Sequence, residues 1–247
     1  MVTTYTVDIL IPTARFVFSV DDGVVDVLPE YRSPEAYAVY GRLREERPIV
    51  GMTTFPNTVL LRGDQAHSEP TILIDPGLQL QNEPVLKALA ARGLGVDDVD
   101  LVALTHAHDD HACACVDLPL PVAVHEAEIG APHWPVVEGI LGAHELRVLR
   151  GAEGELAPGV RWVLTPGHTA GGVTYAVDTG DGLTVVCGDV VGPSPDAFLA
   201  MRPDPGPDVA DLLASWRRIR APAPRWVIAG HIPPFSLPDG RLPGGEG

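Results

Sequence analysis

A chain of 247 residues, 45% hydrophobic and 20% charged, is long enough to bury a large core and short enough to form one domain. Its formal net charge is −16, and its only lysine, Lys87, stands beside sixteen arginines. A nucleic acid or an acidic membrane surface is therefore not expected as a partner. Three cysteines, Cys113, Cys115 and Cys187, are too few for a disulfide framework, which predicts a reduced, cytoplasmic protein.

The opening stretch MVTTYTVDILIPTARFVFSV has no basic leader, and Pro12 and Arg15 interrupt its apolar run. Neither a secretory signal nor a membrane span is predicted there. Within it, YTVDILI (5–11) reads as a strand. YRSPEAYAVYGRLREERP (31–48) carries helix signals: Ser33 as N-cap, Pro34 at the first helical position, Glu35 in the first turn and Pro48 as a stop. Tyr37, Tyr40 and Leu43 share one face of that helix. The face is expected either to pack on the protein's own sheet or a homodimer interface, or to wall a substrate pocket with Tyr37 and Tyr40.

TVLLRG (58–63) and TILID (71–75) read as strands, the second ending in the turn DPG. NEPVLKALAARG (82–93) reads as a helix with Asn82 as a cap and Gly93 as its end. The apolar run VDLVALT (99–105) predicts a strand buried on both faces, which favours helices packed on either side. It leads directly into THAHDDH (105–111), a strand end followed by a short helix that Pro119 closes. PVAVH (121–125) and VRWVL (160–164) are further strands, the latter leading into TPGHTAGG. VTYAV and LTVVC flank the hairpin signal DTGDG, and the second of them delivers Gly188–Asp189. A helix PDVADLLASWRRIR (207–220) precedes the strand RWVIA (225–229), which delivers Gly230–His231. No linker or repeat divides the chain, so one domain over 1–247 is expected, with a helical insertion at 31–48.

Apolar strands thus repeatedly end in a single His or Asp, where a scaffold can bring its loops to one rim. His106 and His108, two apart in extended chain, point to the same side and suit one metal ion. Asp110 and His111 start the next turn and face a neighbouring position. His168, Asp189 and His231 complete a set of histidines and carboxylates that suits Zn²⁺, and a carboxylate such as Asp189 can bridge two ions. Asp75 is either a turn residue or an acid that orients a ligand histidine. His67, His125, His133 and His144 match nothing and read as structural, Asp109 as solvated or capping, and the cysteines as packing. No Gly-x-Ser-x-Gly elbow occurs.

The series HAHDDH, TPGHTAGG, CGD and AGH, in that order and preceded by ILIDPG, resembles the metallo-β-lactamase superfamily over roughly residues 50 to 235. The resemblance implies an α/β fold, a four-layer αββα sandwich with metals at one edge of two sheets. It implies two zinc ions, with iron or manganese as alternatives. His106, His108 and His168 would hold the first, Asp110, His111 and His231 the second, and Asp189 would bridge them. A hydroxide bridging the ions would attack the carbonyl of a small ester, thioester, lactone or amide, with Asp110 orienting it and shuttling a proton. The alternatives are a phosphodiesterase or nuclease of the same fold, and an iron-dependent sulfur dioxygenase. Two departures keep the substrate open. Ala112 and Cys113 follow His111, where glyoxalase II enzymes continue x-Gly-Gly, and Gly192 stands where acyl-homoserine lactonases keep a tyrosine.

Overall fold

The computed structural model describes residues 4–19, 23–28, 42, 45, 49–63, 69–192, 194–206 and 208–237. Of the helix expected over 31–48 only Arg42 and Glu45 are described, both helical; Tyr37 and Tyr40 lie outside the described residues, as does His67. The strands in chain order are β1 (Thr6–Ile11), β2 (Ala14–Ser19), β3 (Gly23–Leu28), β4 (Ile49–Phe55) and β5 (Thr58–Arg62). They continue with β6 (Ile72–Ile74), β7 (Leu101–Ala103), β8 (Val122–His125), β9 (Leu146–Leu149) and β10 (Glu153–Ala157). The last five are β11 (Val160–Leu164), β12 (Val173–Thr179), β13 (Gly182–Gly188), β14 (Trp226–Ala229) and β15 (Phe235–Ser236). The helices with described bounds are α1 (Asn82–Ala90), α2 (Asp109–Ala112), α3 (Trp134–Leu141), α4 (Pro195–Leu199) and α5 (Val209–Arg220).

Two six-stranded sheets form, ordered β1-β5-β6-β7-β8-β9 and β10-β11-β12-β13-β14-β15, with a third, three-stranded sheet β3-β2-β4. Side-chain alternation along the strands separates three cores. Ile72, Ile74, Leu101, Ala103 and Ala123 of the first large sheet meet Trp162, Tyr175, Val177, Val186 and Ile228 of the second in one buried cluster. The residues between them point the other way. Leu73, Val102, Val122 and Val124 pack against Val85 and Leu89 of α1 and Trp134, Val137 and Leu141 of α3. Val185, Cys187, Val227 and Ala229 pack against Phe198 of α4 and Trp216 and Ile219 of α5. Helix, sheet, sheet, helix is the αββα order. The run expected over 99–105 is buried on both sides from Leu101 to Thr105, with Asp100 exposed, and its ladder is confined to Leu101–Ala103.

Local details depart from expectation. Asn82 is the first helical residue rather than the cap, because a 3-10 turn at Gln79–Gln81 feeds directly into α1. Its side chain instead donates to Asp117. The cysteine pair sits in a 3-10 turn, Cys113–Asp117, and only Cys115 is fully buried. The three-stranded sheet was not expected, since β2 pairs with β4 across a long separation, Ala14 against Phe55. No helix among the described residues is long and apolar enough to cross a membrane.

Strand direction gathers the chemistry. In the first sheet β6, β7 and β8 run parallel, so their C-terminal ends share an edge. In the second, β12 is antiparallel to both β11 and β13, and β13 is parallel to β14, so β11, β13 and β14 also end together.

Candidate metal centre

Six loops leave those six strand ends. They carry Asp75 after β6, His106 to His111 after β7, His125 to Glu128 from β8, His168 after β11, Asp189 after β13 and His231 after β14. Glycines let the loops close on one another. Gly188 turns with φ +54°, and a Cβ there would lie 2.8 Å from Thr105 Cβ. A Cβ on Gly230 would overlap Asp189 Oδ1 and approach His111 Cε1 to 3.1 Å. Asn57, buried at the end of the β4–β5 turn, pins the last loop by donating through Nδ2 to the carbonyls of Ala229 and Ile232, both at 2.8 Å. No sequence signal marks Asn57, since a lone Asn after Pro looks like an ordinary turn residue.

His106, His108 and His168 form one group, Asp110, His111 and His231 another, and His106, His111 and Asp189 a third between them; in each, the ligand atoms lie within 4.8 Å of one another. His108 Nδ1 stands 3.1 Å from His106 Nε2 and 3.0 Å from His168 Nε2. One ring nitrogen carries at most one proton, yet this one faces two others. Nitrogens bound to one tetrahedral zinc at about 2.0–2.1 Å stand about 3.3 Å apart, so a single cation suits all three.

The second group is built around charge. His231 Nε2 lies 3.0 Å from Asp110 Oδ2 and 3.3 Å from Asp189 Oδ2, and His111 Nε2 lies 3.3 Å from Asp189 Oδ1. Asp75, buried with φ +48°, accepts from Thr105 N and Thr105 Oγ1 and places Oδ2 2.9 Å from His111 Nδ1. That contact occupies the Nδ1 side of the ring and turns Nε2 toward the cluster. His111 Nε2 and Asp189 Oδ1 are buried without a hydrogen-bond partner among the described residues, and both face the same space. Buried polar atoms left in this way fit a cation that would complete them.

Burial, the largest effect, holds His106 well below the ordinary histidine range, and it also lowers His108 and His168, with neighbouring histidines adding to it. The lowered values favour the neutral ring, the form in which an imidazole can bind a metal. Burial also pulls down His111, but Asp189 and Asp75 outweigh it and leave the ring well above its usual value. His231, opposed by burial and raised by hydrogen bonds to Asp110 and Asp189, titrates at about 9. Asp189 is held well below the carboxylate range: burial opposes this, but His111 and His231 outweigh it. Asp110 is lowered in the same way, with burial overcome chiefly by His231. In the protein alone, protons on His111 and His231 therefore balance the two carboxylates.

Beside the cluster a cleft of about 260 Å³ is lined by Gly167, Val190, Val191, Leu212 and Ile232, with His168, Asp189 and His231 in its wall. His125 and His144 serve as structural bonds to the carbonyls of Gly151 and Leu120. His133 does not stand apart from the cluster. Its ring lies edge-on to that of His108, with centroids 4.6 Å apart, and its Nε2 donates to Glu128 at 2.8 Å. Glu128 carries no signal in the sequence. It is the second acid of HEAE at a strand end, and nothing local separates it from the exposed Glu126 two residues earlier.

Two mixed sheets enclosed by helices, with His and Asp converging at one edge, define an αββα scaffold with a candidate metal-binding rim, and comparison with known proteins places it. The chain belongs to the metallo-beta-lactamase superfamily, whose family model matches residues 52–231. Over 170 residues it is 32% identical to metallo-beta-lactamase domain-containing protein 1 of Homo sapiens, covering 67% of this chain and 59% of that protein. Over 128 residues it is 33% identical to a hydroxyacylglutathione hydrolase of Acidiphilium cryptum (strain JF-5), covering 51% of this chain and 46% of that protein. The matches thus span about half the length of these curated relatives. Among solved structures, an N-acyl homoserine lactone hydrolase with the product N-hexanoyl-L-homoserine at its catalytic metal center is similar in fold. Its TM-score is 0.64 at 18% identity, over 94% of each chain.

Proposed function

We propose that the protein is a dinuclear metal-dependent hydrolase of a small ester, thioester, lactone or amide. The observation that carries this reading is the convergence of two three-residue groups on a shared carboxylate, Asp189, at the wall of a cleft. His106, His108 and His168 would hold one ion and Asp110, His111 and His231 the other, zinc being the metal that this donor set suits best. When bound, the metal pair supplies Lewis acidity and lowers the pKa of water toward neutrality. The remaining steps belong to the chain. The Asp110 side chain is one quarter exposed and fixed at 3.0 Å by His231, so it can orient an attacking water and take its proton. Asp75 fixes the His111 ring. Val190, Val191, Leu212 and Ile232 offer apolar surface to an acyl or ring portion of the substrate. The comparisons support a carbonyl substrate: one relative is named a hydroxyacylglutathione hydrolase, and a structural neighbour an N-acyl homoserine lactone hydrolase.

Elemental analysis of the purified protein should return about two ions per chain, mainly zinc. His231→Ala should retain about one, and a screen of ester, thioester, lactone, β-lactam and phosphodiester chromogens should show carbonyl substrates cleaved. Asp110→Asn should lower kcat by about 10²- to 10⁴-fold with Tm little changed. One tightly held iron, unaltered in His231→Ala, or turnover of phosphodiesters alone, would overturn the reading.

A further inference from the structure

Glu128 is completely buried, although a carboxylate taken out of water costs several kcal/mol unless its oxygens are fully engaged. Its oxygens are engaged, and by donors only. Oε2 accepts from Ala107 N at 2.7 Å and from His133 Nε2 at 2.8 Å, and Oε1 accepts from Gly171 N at 2.8 Å. The choice of donors is informative. Ala107 lies between His106 and His108, and Gly171 lies three residues after His168. One carboxylate therefore bonds the backbones of both loops that carry the three-histidine group, one loop from each large sheet. The approach is so close that a Cβ on Gly171 would meet Glu128 N at 2.6 Å and Cγ at 2.7 Å, which accounts for the glycine after HTA. His133, held on the same oxygen, sets its ring edge-on against His108 at 4.6 Å and 77°. Glu126, two residues earlier, is exposed and pairs with Arg150, as an ordinary surface acid does.

We propose that Glu128 is a positioning residue for the first metal: it clamps the 105–108 and 165–172 loops to each other and, through His133, limits rotation of the His108 ring. The fold alone does not call for a charge here, since packing at this position would be met by an apolar side chain without the desolvation cost. The requirement is polar and directional, namely two backbone N–H groups from loops that must close to the same distance. The inference rests on the reading of His106, His108 and His168 as ligands.

Glu128→Gln keeps the shape but replaces one acceptor oxygen by an NH₂ group, which sets donor against donor at one of the two loops. Zinc affinity of each site is read by competition with a chromogenic chelator, and the first site's geometry by the visible spectrum of the cobalt-substituted protein. The expected result is a first-site affinity about 10–100-fold weaker and an altered cobalt spectrum, with second-site affinity unchanged. Equal weakening of both sites, or no change at either, would overturn the clamp. If Glu128→Gln does not fold, Gly171→Ala presses a methyl group on the same carboxylate and His133→Phe removes one arm of the clamp, and each should again weaken the first site selectively. His106→Ala is the control: it should lose one ion. If it does, an unaffected Glu128→Gln overturns the clamp alone; an unchanged metal content in His106→Ala overturns the ligand reading with it.

Discussion

At the scale of single residues, the rim is a set of groups that can leave water only in one another's company. His231 titrates at about 9 against an ordinary value of 6.5, so in metal-free protein its pairing with Asp110 and Asp189 stabilises the fold fully below pH 6.5. That stabilisation is lost as pH rises through about 9, and His111, also raised, acts in the same direction. The Tm of chelator-stripped protein should therefore fall between pH 6.5 and about 9, and by less in His231→Asn, as scanning calorimetry across pH would show. A flat profile for the stripped wild type contradicts the pairing. These candidates are legible in the amino-acid order because they cluster in the short stretches that follow apolar strands. Glu128 is not legible in this way. Only the tertiary contact with Ala107 and Gly171 distinguishes it from Glu126, and both belong to loops distant in sequence.

At the scale of elements, short continuous apolar runs buried on both faces make the central strands readable, and the bounds expected for helix α5 lie close to those observed. The sheet of β2, β3 and β4 escapes such reading because its pairing links residues about forty apart, which no local pattern records. Helix α5, whose Leu212 lines the cleft, also shows how a packed element supports the rim. Trp216 is fully buried, packs edge-to-face with Phe198 at 5.4 Å, and donates Nε1–H to the carbonyl of Val190, the residue after Asp189. Trp216→Ala should cost about 3–5 kcal/mol in urea unfolding. Trp216→Phe, which keeps most of the packing but strands the carbonyl, should cost about 1–3 kcal/mol. A larger loss in the phenylalanine variant would show that the ring's packing is not what holds the helix to its sheet.

At the scale of the whole molecule, the ligand candidates are divided between the two halves of the sandwich. His106, His108, Asp110 and His111 come from the first large sheet, and His168, Asp189 and His231 from the second. An ion held by both would act as a cross-link that the unfolded chain cannot reproduce. Zinc at one hundred times its dissociation constant should then add about 2.7 kcal/mol to the unfolding free energy. The check is a denaturant midpoint measured with and without metal; an unchanged midpoint at saturating metal would sink the idea that the site ties the halves together. The net charge of −16 acts in the same direction, since a folded acidic protein gains from any bound cation.

The residues that meet the cleft are of two kinds. Gly167, His168, Asp189 and His231 lie in loops just after strands, outside the three apolar clusters, whereas Val190, Val191, Ile232 and Leu212 also pack in the cluster between the second large sheet and helices α4 and α5. The polar side chains of the rim can thus change without touching the core, while the apolar wall of the cleft is shared with the packing that holds the chain folded. Loops on the rim can lengthen, shorten or change their side chains while the hydrogen-bonded frame beneath keeps its register. Such a protein can drift between substrates by small steps at its rim, whereas a loop transplanted from a relative after β13 or β14 must keep the apolar anchors that Val190, Val191 and Ile232 supply to the core.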